Sequence, residues 1–147
     1  MPLPKQDAAF LSTKWTEGVL LKRDVFSTVE RGRFQTTTGE TGAVLRRLDQ
    51  VPWWSYLVAR HLFERERKAL TLAHDLGLGP RLLWSGRSAL VRDFIDGVAL
   101  HLARPYGDLS YFRSAKAALR KLHRAGICHN DLAKEQNWLR GNDGNAY

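Results

Sequence analysis

The hydrophobic period of this chain changes once in its first half, and that change restricts the fold more than any other feature. From Val19 to Asp49, β-branched and aromatic residues broken by glycines run as VLLKRDVFSTVERGRF, QTTTGETG and AVLRRLD. Such a pattern belongs to strands. The Thr-Gly cluster of residues 36–42 reads as a hairpin turn, so two or three antiparallel strands are expected. Over residues 53–76 the period becomes helical, with Trp54, Leu57, Val58, Leu62, Ala69, Leu70, Ala73 and Leu76 forming a stripe that Gly77–Pro80 ends.

Glu66 stands inside that stripe, between Leu62 and Leu70. A carboxylate on a buried face is costly unless a cation or donor meets it. Either Glu66 lies at the stripe's edge and reaches water, or it pairs with a basic residue of the sheet.

The segments RLLWSG and SALVRDFIDG read as two further strands with a turn at Gly86. LSYFRSAKAALRKLHRAG reads as a second long helix, with Tyr111, Phe112, Ala115, Leu119 and Leu122 on one side, Asp108 or Ser110 as its N-cap and Gly126 as its stop. A polar loop at 129–137, a short strand NWLR and a turn GNDG follow. Strands, helix, strands, helix and loop in that order imply an α+β chain with two lobes. The expected division is a lead-in over 1–17, a sheet-and-helix lobe over 18–95, and the start of a helical lobe over 96–147.

At 147 residues and 44% hydrophobic, with five Trp, the chain can bury a core. Its single cysteine, Cys128, permits no internal disulfide and fits a reducing compartment. In its apolar run Cys128 reads as buried filler, with a reactive thiol as the alternative. No export signal and no apolar run of membrane-spanning length occur in the sequence, so a cytoplasmic location is expected. The net charge of +8 is spread through LLKRD, VLRRLD, FERERK and LRKLHR. Scattered basic residues read as solvated helix faces. A phosphate-bearing partner is one alternative, and acidic residues beyond Tyr147 are another. Nucleic acid is disfavoured, because no nucleic-acid motif is present and the Trp residues sit in apolar patterns that predict burial.

The densest chemistry lies in LHRAGICHNDLAKEQN, where His129, Asp131, Lys134, Glu135 and Asn137 are framed by apolar residues. This stretch resembles the catalytic loop of the protein-kinase-like superfamily, L-H-x-x-G-x-x-H-x-D-L-K-x-x-N. LVRDFIDGVAL resembles that family's last small-lobe strand and hinge, AVLRRL its nucleotide-contacting strand, and the helix bearing Glu66 the one with its pairing glutamate. The nearest likeness is to bacterial RIO-type and lipopolysaccharide-sugar kinases.

The resemblance implies an ATP- and Mg²⁺-dependent phosphotransferase acting on a protein or sugar hydroxyl, because phosphoryl transfer asks of the protein mainly positioning and charge stabilisation. It implies Asp131 as the catalytic aspartate, Lys134 as a phosphate contact, Asn137 as the metal-binding amide and His129 as a structural prop. It further implies Arg46, Glu66, Gly32, Asp93, Phe94 and Ile95 as nucleotide-binding positions, the last three through their backbone. His123 is expected to pack.

The chain departs from the family's pattern in four places. Asn137 follows Asp131 by six residues where five is usual, which leaves Gln136 as a rival amide. Arg46 or Arg47 stands where the family has lysine, and strand alternation lets only one of them meet Glu66. Gly32 is the only glycine at the expected turn of the nucleotide roof. The family's D-F-G aspartate has no counterpart before Tyr147, and Asp143 in the turn NDG is a poor substitute, so a C-terminally truncated fragment is expected. The alternative reading is a catalytically inactive binding module of the same fold.

Overall fold

The computed structural model describes residues 3–128 and 134–147, apart from the side chain of Gln136. His129 and Asp131 therefore lie outside the described residues. The chain is α+β and divides into two compact units, one running to Thr71 and including Pro80–Phe94, the other comprising Leu72–Gly79 and Ile95–Tyr147.

The first unit opens with helix α1 (Lys5–Lys14), then strands β1 (Trp15–Arg23), β2 (Thr28–Thr36) and β3 (Gly39–Arg47), a 3-10 turn at Trp53–Ser55, helix α2 (Tyr56–Asp75), and strands β4 (Leu82–Ser85) and β5 (Ala89–Asp93). The five strands form one antiparallel sheet in the order β1-β2-β3-β5-β4. Alternation along each strand sends successive side chains to opposite faces. Phe34, Ala43, Leu45, Ala89 and Val91 therefore meet Leu11 and Phe10 of α1 on one face. On the other, Leu90 joins Leu48, Val51, Ala59 and Phe63 beneath α2.

The lead-in expected over 1–17 is thus helical and docked. Asp7 is buried, and its Oδ2 accepts the Ser88 backbone N–H at 2.9 Å, while the Phe10 ring stacks on Trp84 with centroids 4.7 Å apart. Gly86 makes this approach possible, since a Cβ there would lie 2.5 Å from Asp7 Oδ1.

The N-terminal half of the helical stripe expected on α2 is on the wrong side of that helix, while Leu70 of its second half does pack on the core. Ala59 and Phe63 are fully buried, and Tyr56 and Leu70 pack beside them, whereas Leu57 is 82% and Val58 52% exposed. The buried line runs 56, 59, 63, 66, 70, at spacings of three and four, and Glu66 falls on it. On the solvated side Arg60 and Arg67 both pair with Glu64 at 2.7 Å, the bland reading of the scattered basic residues. Trp53 and Trp54 are exposed, against the expected burial, while Trp15 and Trp84 pack on the core beside α1.

The second unit contains β6 (Gly97–Ala99), the short α3 (Leu100–Ala103), α4 (Leu109–Arg124), a 3-10 turn at Glu135–Asn137 and β7 (Leu139–Gly141). β6 and β7 pair antiparallel, and the Leu100 backbone N–H donates to the Trp138 carbonyl at 2.9 Å. Asp108 caps α4, its Oδ1 accepting the Tyr111 N–H at 3.0 Å, and its Oδ2 accepts Arg140 Nη2 at 2.7 Å. One carboxylate thus fixes both the helix start and β7. Gly126, at φ +76, closes the helix in a conformation that costs other residues strain. Tyr111 is buried, but Phe112 is 49% exposed, and His123 and Cys128 are exposed rather than packed. Among the described residues no helix is long and apolar enough to cross a membrane.

Candidate functional site

β3 and α2 bring the first pair of site residues together. Leu45 faces α1, so Arg46 must face α2, where its Nη1 donates to Glu66 Oε2. Of the alternatives the sequence left open for Glu66, the structure shows the ion pair. The two side chains are 20% and 25% exposed, so the pair is mostly but not wholly removed from water. Arg47 turns to the opposite face, and its Nη2 donates to Glu30 Oε1 at 2.5 Å. Only Arg46 meets Glu66.

Besides Arg46, the α2-side face of the sheet carries Arg31 and Arg92. The register aligns Arg31 of β2, Val44 of β3 and Arg92 of β5 in one row, with Val29, Arg46 and Leu90 in the next. Burial lowers the pKa of the Arg46 guanidinium from its ordinary value; nearby Asp24 offsets part of that and Arg92 adds to it. Burial also lowers the pKa of Arg92. The Arg31 guanidinium lies over the Phe94 ring, 3.8 Å from its centroid, a contact worth about 0.5–2 kcal/mol depending on desolvation. Sequence reasoning missed Arg31 and Arg92. The available signal was the alternation in ALVRD, which puts Arg92 on the same face as Leu90.

The other expected nucleotide positions are placed as follows. Gly32 lies within β2 opposite Ala43, not in the β1–β2 turn, which is formed by residues 24–27. Its missing side chain makes room for Trp15, since a Cβ would lie 2.7 Å from that ring and 2.6 Å from the Thr16 carbonyl. The expected roof role of Gly32 thus gives way to a packing role. Asp93 ends β5, with its N–H donating to the Arg81 carbonyl at 2.9 Å and its carboxylate 3.3 Å from Arg81 Nε. The Phe94 N–H donates to the Gly42 carbonyl at 3.1 Å, so this N–H is engaged by the sheet itself. Ile95 opens the second unit.

In the second unit Lys134 and Asn137 bracket the 3-10 turn, with the Asn137 N–H donating to the Lys134 carbonyl at 2.9 Å, and both residues are exposed. Asp143 accepts three hydrogen bonds from its neighbours: Oδ1 from the Asn145 N–H at 3.0 Å, and Oδ2 from Asn145 Nδ2 and Tyr147 Oη, each at 2.8 Å. The Asn145 side-chain hydrogen bond, followed by the backbone one, holds the Asp143 carboxyl below its ordinary pKa. Among the described residues no three His, Cys, Asp or Glu side chains gather to hold a metal ion.

A hollow of about 460 Å³ in the first unit, lined by Phe10, Lys14, Phe34, Thr37 and Arg81, lies on the α1 side and away from the Arg46–Glu66 pair. No family model and no curated protein matches the chain.

Proposed function

We propose that the chain carries the site of an ATP-dependent phosphotransferase of the protein-kinase-like kind, acting on a protein or sugar hydroxyl. One observation supports this most: a sheet cation and a helix carboxylate, Arg46 and Glu66, pair across the first unit. The resemblance places a lysine–glutamate pair there, and Arg46, twenty positions from Glu66, takes the place of the lysine. The HNDLAKEQN segment follows in the order the same reading demands.

In this reading the Arg46 guanidinium, oriented by Glu66, donates to phosphate oxygens, for which its planar fork is suited. Asp131 stands beside the acceptor hydroxyl, Lys134 meets the phosphoryl group, His129 props the loop, and Asn137 offers an amide oxygen to Mg²⁺. Bound Mg²⁺ would neutralise phosphate charge. It requires near-octahedral oxygen coordination, and among the described residues the Asn137 amide, with Asp143 engaged by Asn145 and Tyr147, does not supply that. No step is therefore assigned to the ion.

The engagement of Asp143 by Asn145 and Tyr147, and the arginine at position 46, favour a second reading, a nucleotide-binding module of this fold without turnover. ADP production and phosphate incorporation, measured on the wild-type chain and on Asp131→Ala, separate the two. The enzyme reading expects turnover that Asp131→Ala abolishes while ATP affinity stays nearly unchanged. Binding without turnover selects the module, and turnover surviving in Asp131→Ala refutes the assigned role.

A further inference from the structure

The outward side of α2 has no role in the site described above. The buried line of this helix runs through Ala59, Phe63, Glu66 and Leu70. At about 100° per residue, Leu57, Val58, Leu62, His61, Arg65 and Lys68 fall within an arc of about 140° on the other side, and all are exposed. Just before them, Trp53 and Trp54 are 89% and 61% exposed. Single apolar side chains at a surface are ordinary, but Trp53, Trp54, Leu57 and Val58 together make a patch of the kind that marks an interaction site. The patch is held in place. Ser55, buried between the tryptophans and the helix, donates its Oγ–H to the Val25 carbonyl at 2.6 Å and ties the 3-10 turn to the β1–β2 turn.

The charge on this side is of one sign. Among the described residues His61, Arg65 and Lys68 make no hydrogen bond or ion pair. Of the acids of α2, Glu64 is held by Arg60 and Arg67, Glu66 by Arg46, and Asp75 stands at the far end of the helix. Cations standing among apolar side chains, with tryptophan at one end, match the headgroup layer of a bilayer. Trp favours that depth. Lys and Arg lay their apolar stems beside the acyl chains and hold their charges at the lipid phosphates, and an anionic leaflet attracts them. The core of a protein interface is depleted of Lys, so a protein partner fits this mixture less well. The net charge of +8 acts in the same direction at longer range.

We infer that the outward side of α2, from Trp53 to Lys68, docks the chain on an anionic lipid bilayer, with the helix lying in the plane of the headgroups. The Arg46–Glu66 pair sits on the opposite side of the same helix and stays clear of the lipid. Lipid docking of this kind goes beyond the proposed function and does not rest on it, since it needs neither a nucleotide nor residues 129–137.

The test is flotation of the whole chain with vesicles of phosphatidylcholine containing about 30% phosphatidylglycerol, against vesicles of phosphatidylcholine alone. The chain should partition onto the anionic vesicles at least about tenfold more strongly, and raising NaCl from about 0.1 M to about 0.5 M should weaken that binding. Trp53→Ser with Trp54→Ser, and separately Arg65→Gln with Lys68→Gln, should each lower partitioning at least about tenfold. Both variants should keep the wild-type circular dichroism and melting temperature, because all four side chains are exposed. Arg113→Gln with Arg120→Gln removes the same charge from exposed positions of α4 and should change partitioning by less than about twofold. No binding to the anionic vesicles, equal binding to both kinds, wild-type partitioning by the tryptophan variant, or an equal loss in the α4 variant overturns the inference. Self-association that the tryptophan substitutions abolish, in a chain that does not float, would overturn it as well and assign the face to a second copy.

Discussion

Replacing Glu66 by Gln keeps the shape of the side chain and removes its charge, which leaves Arg46 on the inner face of the sheet without its paired carboxylate. Breaking a buried ion pair by removing one partner costs about 3–5 kcal/mol when both charges are fully desolvated. Here the side chains are 20% and 25% exposed, so water recovers part of that, and about 1–3 kcal/mol is the expected loss. With a urea slope of about 2 kcal/mol/M, the unfolding midpoint should fall by roughly 0.5–1.5 M. The double variant Arg46→Met, Glu66→Leu removes both charges and keeps apolar volume, so its midpoint should lie closer to wild type than that of Glu66→Gln. Urea denaturation followed by tryptophan fluorescence and circular dichroism measures both. If Glu66→Gln shifts the midpoint negligibly, or the double variant is as damaged as the single one, the two residues are not coupled and the pair does not orient Arg46.

The inner face of α2 is checked by Phe63→Ala, expected to cost about 3–5 kcal/mol as a fully buried aromatic, against Leu57→Ala, expected within about 0.5 kcal/mol of wild type at an exposed position; equal losses in urea would return the core to the wrong side of the helix. Gly86→Ala should destabilise the chain by about 1–3 kcal/mol and expose α1 to protease, because the added carbon meets Asp7 and Trp84; unchanged proteolysis would contradict the docked helix. Asp143 has its folded pKa below 3.8, so its contribution to the C-terminal turn is present above that value and lost as pH falls through the lower, folded one. An NMR titration should find the Asp143 carboxyl titrating below 3.8, and Tyr147→Phe should move it back up.

The sheet, the two long helices and the ends of both were legible because they rest on local rules: alternation, helical spacing, an Asp N-cap and glycine stops. The pairing of Arg46 with Glu66 was legible for a related reason, since alternation had already excluded one of two arginines and a carboxylate within an apolar stripe needs a cation. The face of the first half of α2 was misjudged because Leu57, Val58 and Leu62 carry more hydropathy than Ala59. The burying side is set by what Leu90 and Leu48 offer across the sheet, which no local pattern contains. Helix α1 was missed for the same kind of reason. KQDAAFLSTK has little amphipathic character, and its docking depends on Ser88, 81 residues from Asp7. Arg31 and Arg92 are ordinary surface cations in the sequence, and only the strand register places them around Val44. Gly32 was given to a turn because glycine so often marks one, whereas here it clears space for Trp15. Asp131 and His129 fall outside the described residues, so the roles proposed for them rest on the motif.

Titration calorimetry of Mg·ATP into the wild-type chain and into Arg46→Met tests the central claim most directly. Saturable binding at one site, weakened at least about tenfold by the substitution, is the expected result. An inert wild-type chain, or equal affinity in the two proteins, would mean that the cation paired to Glu66 does not hold a nucleotide.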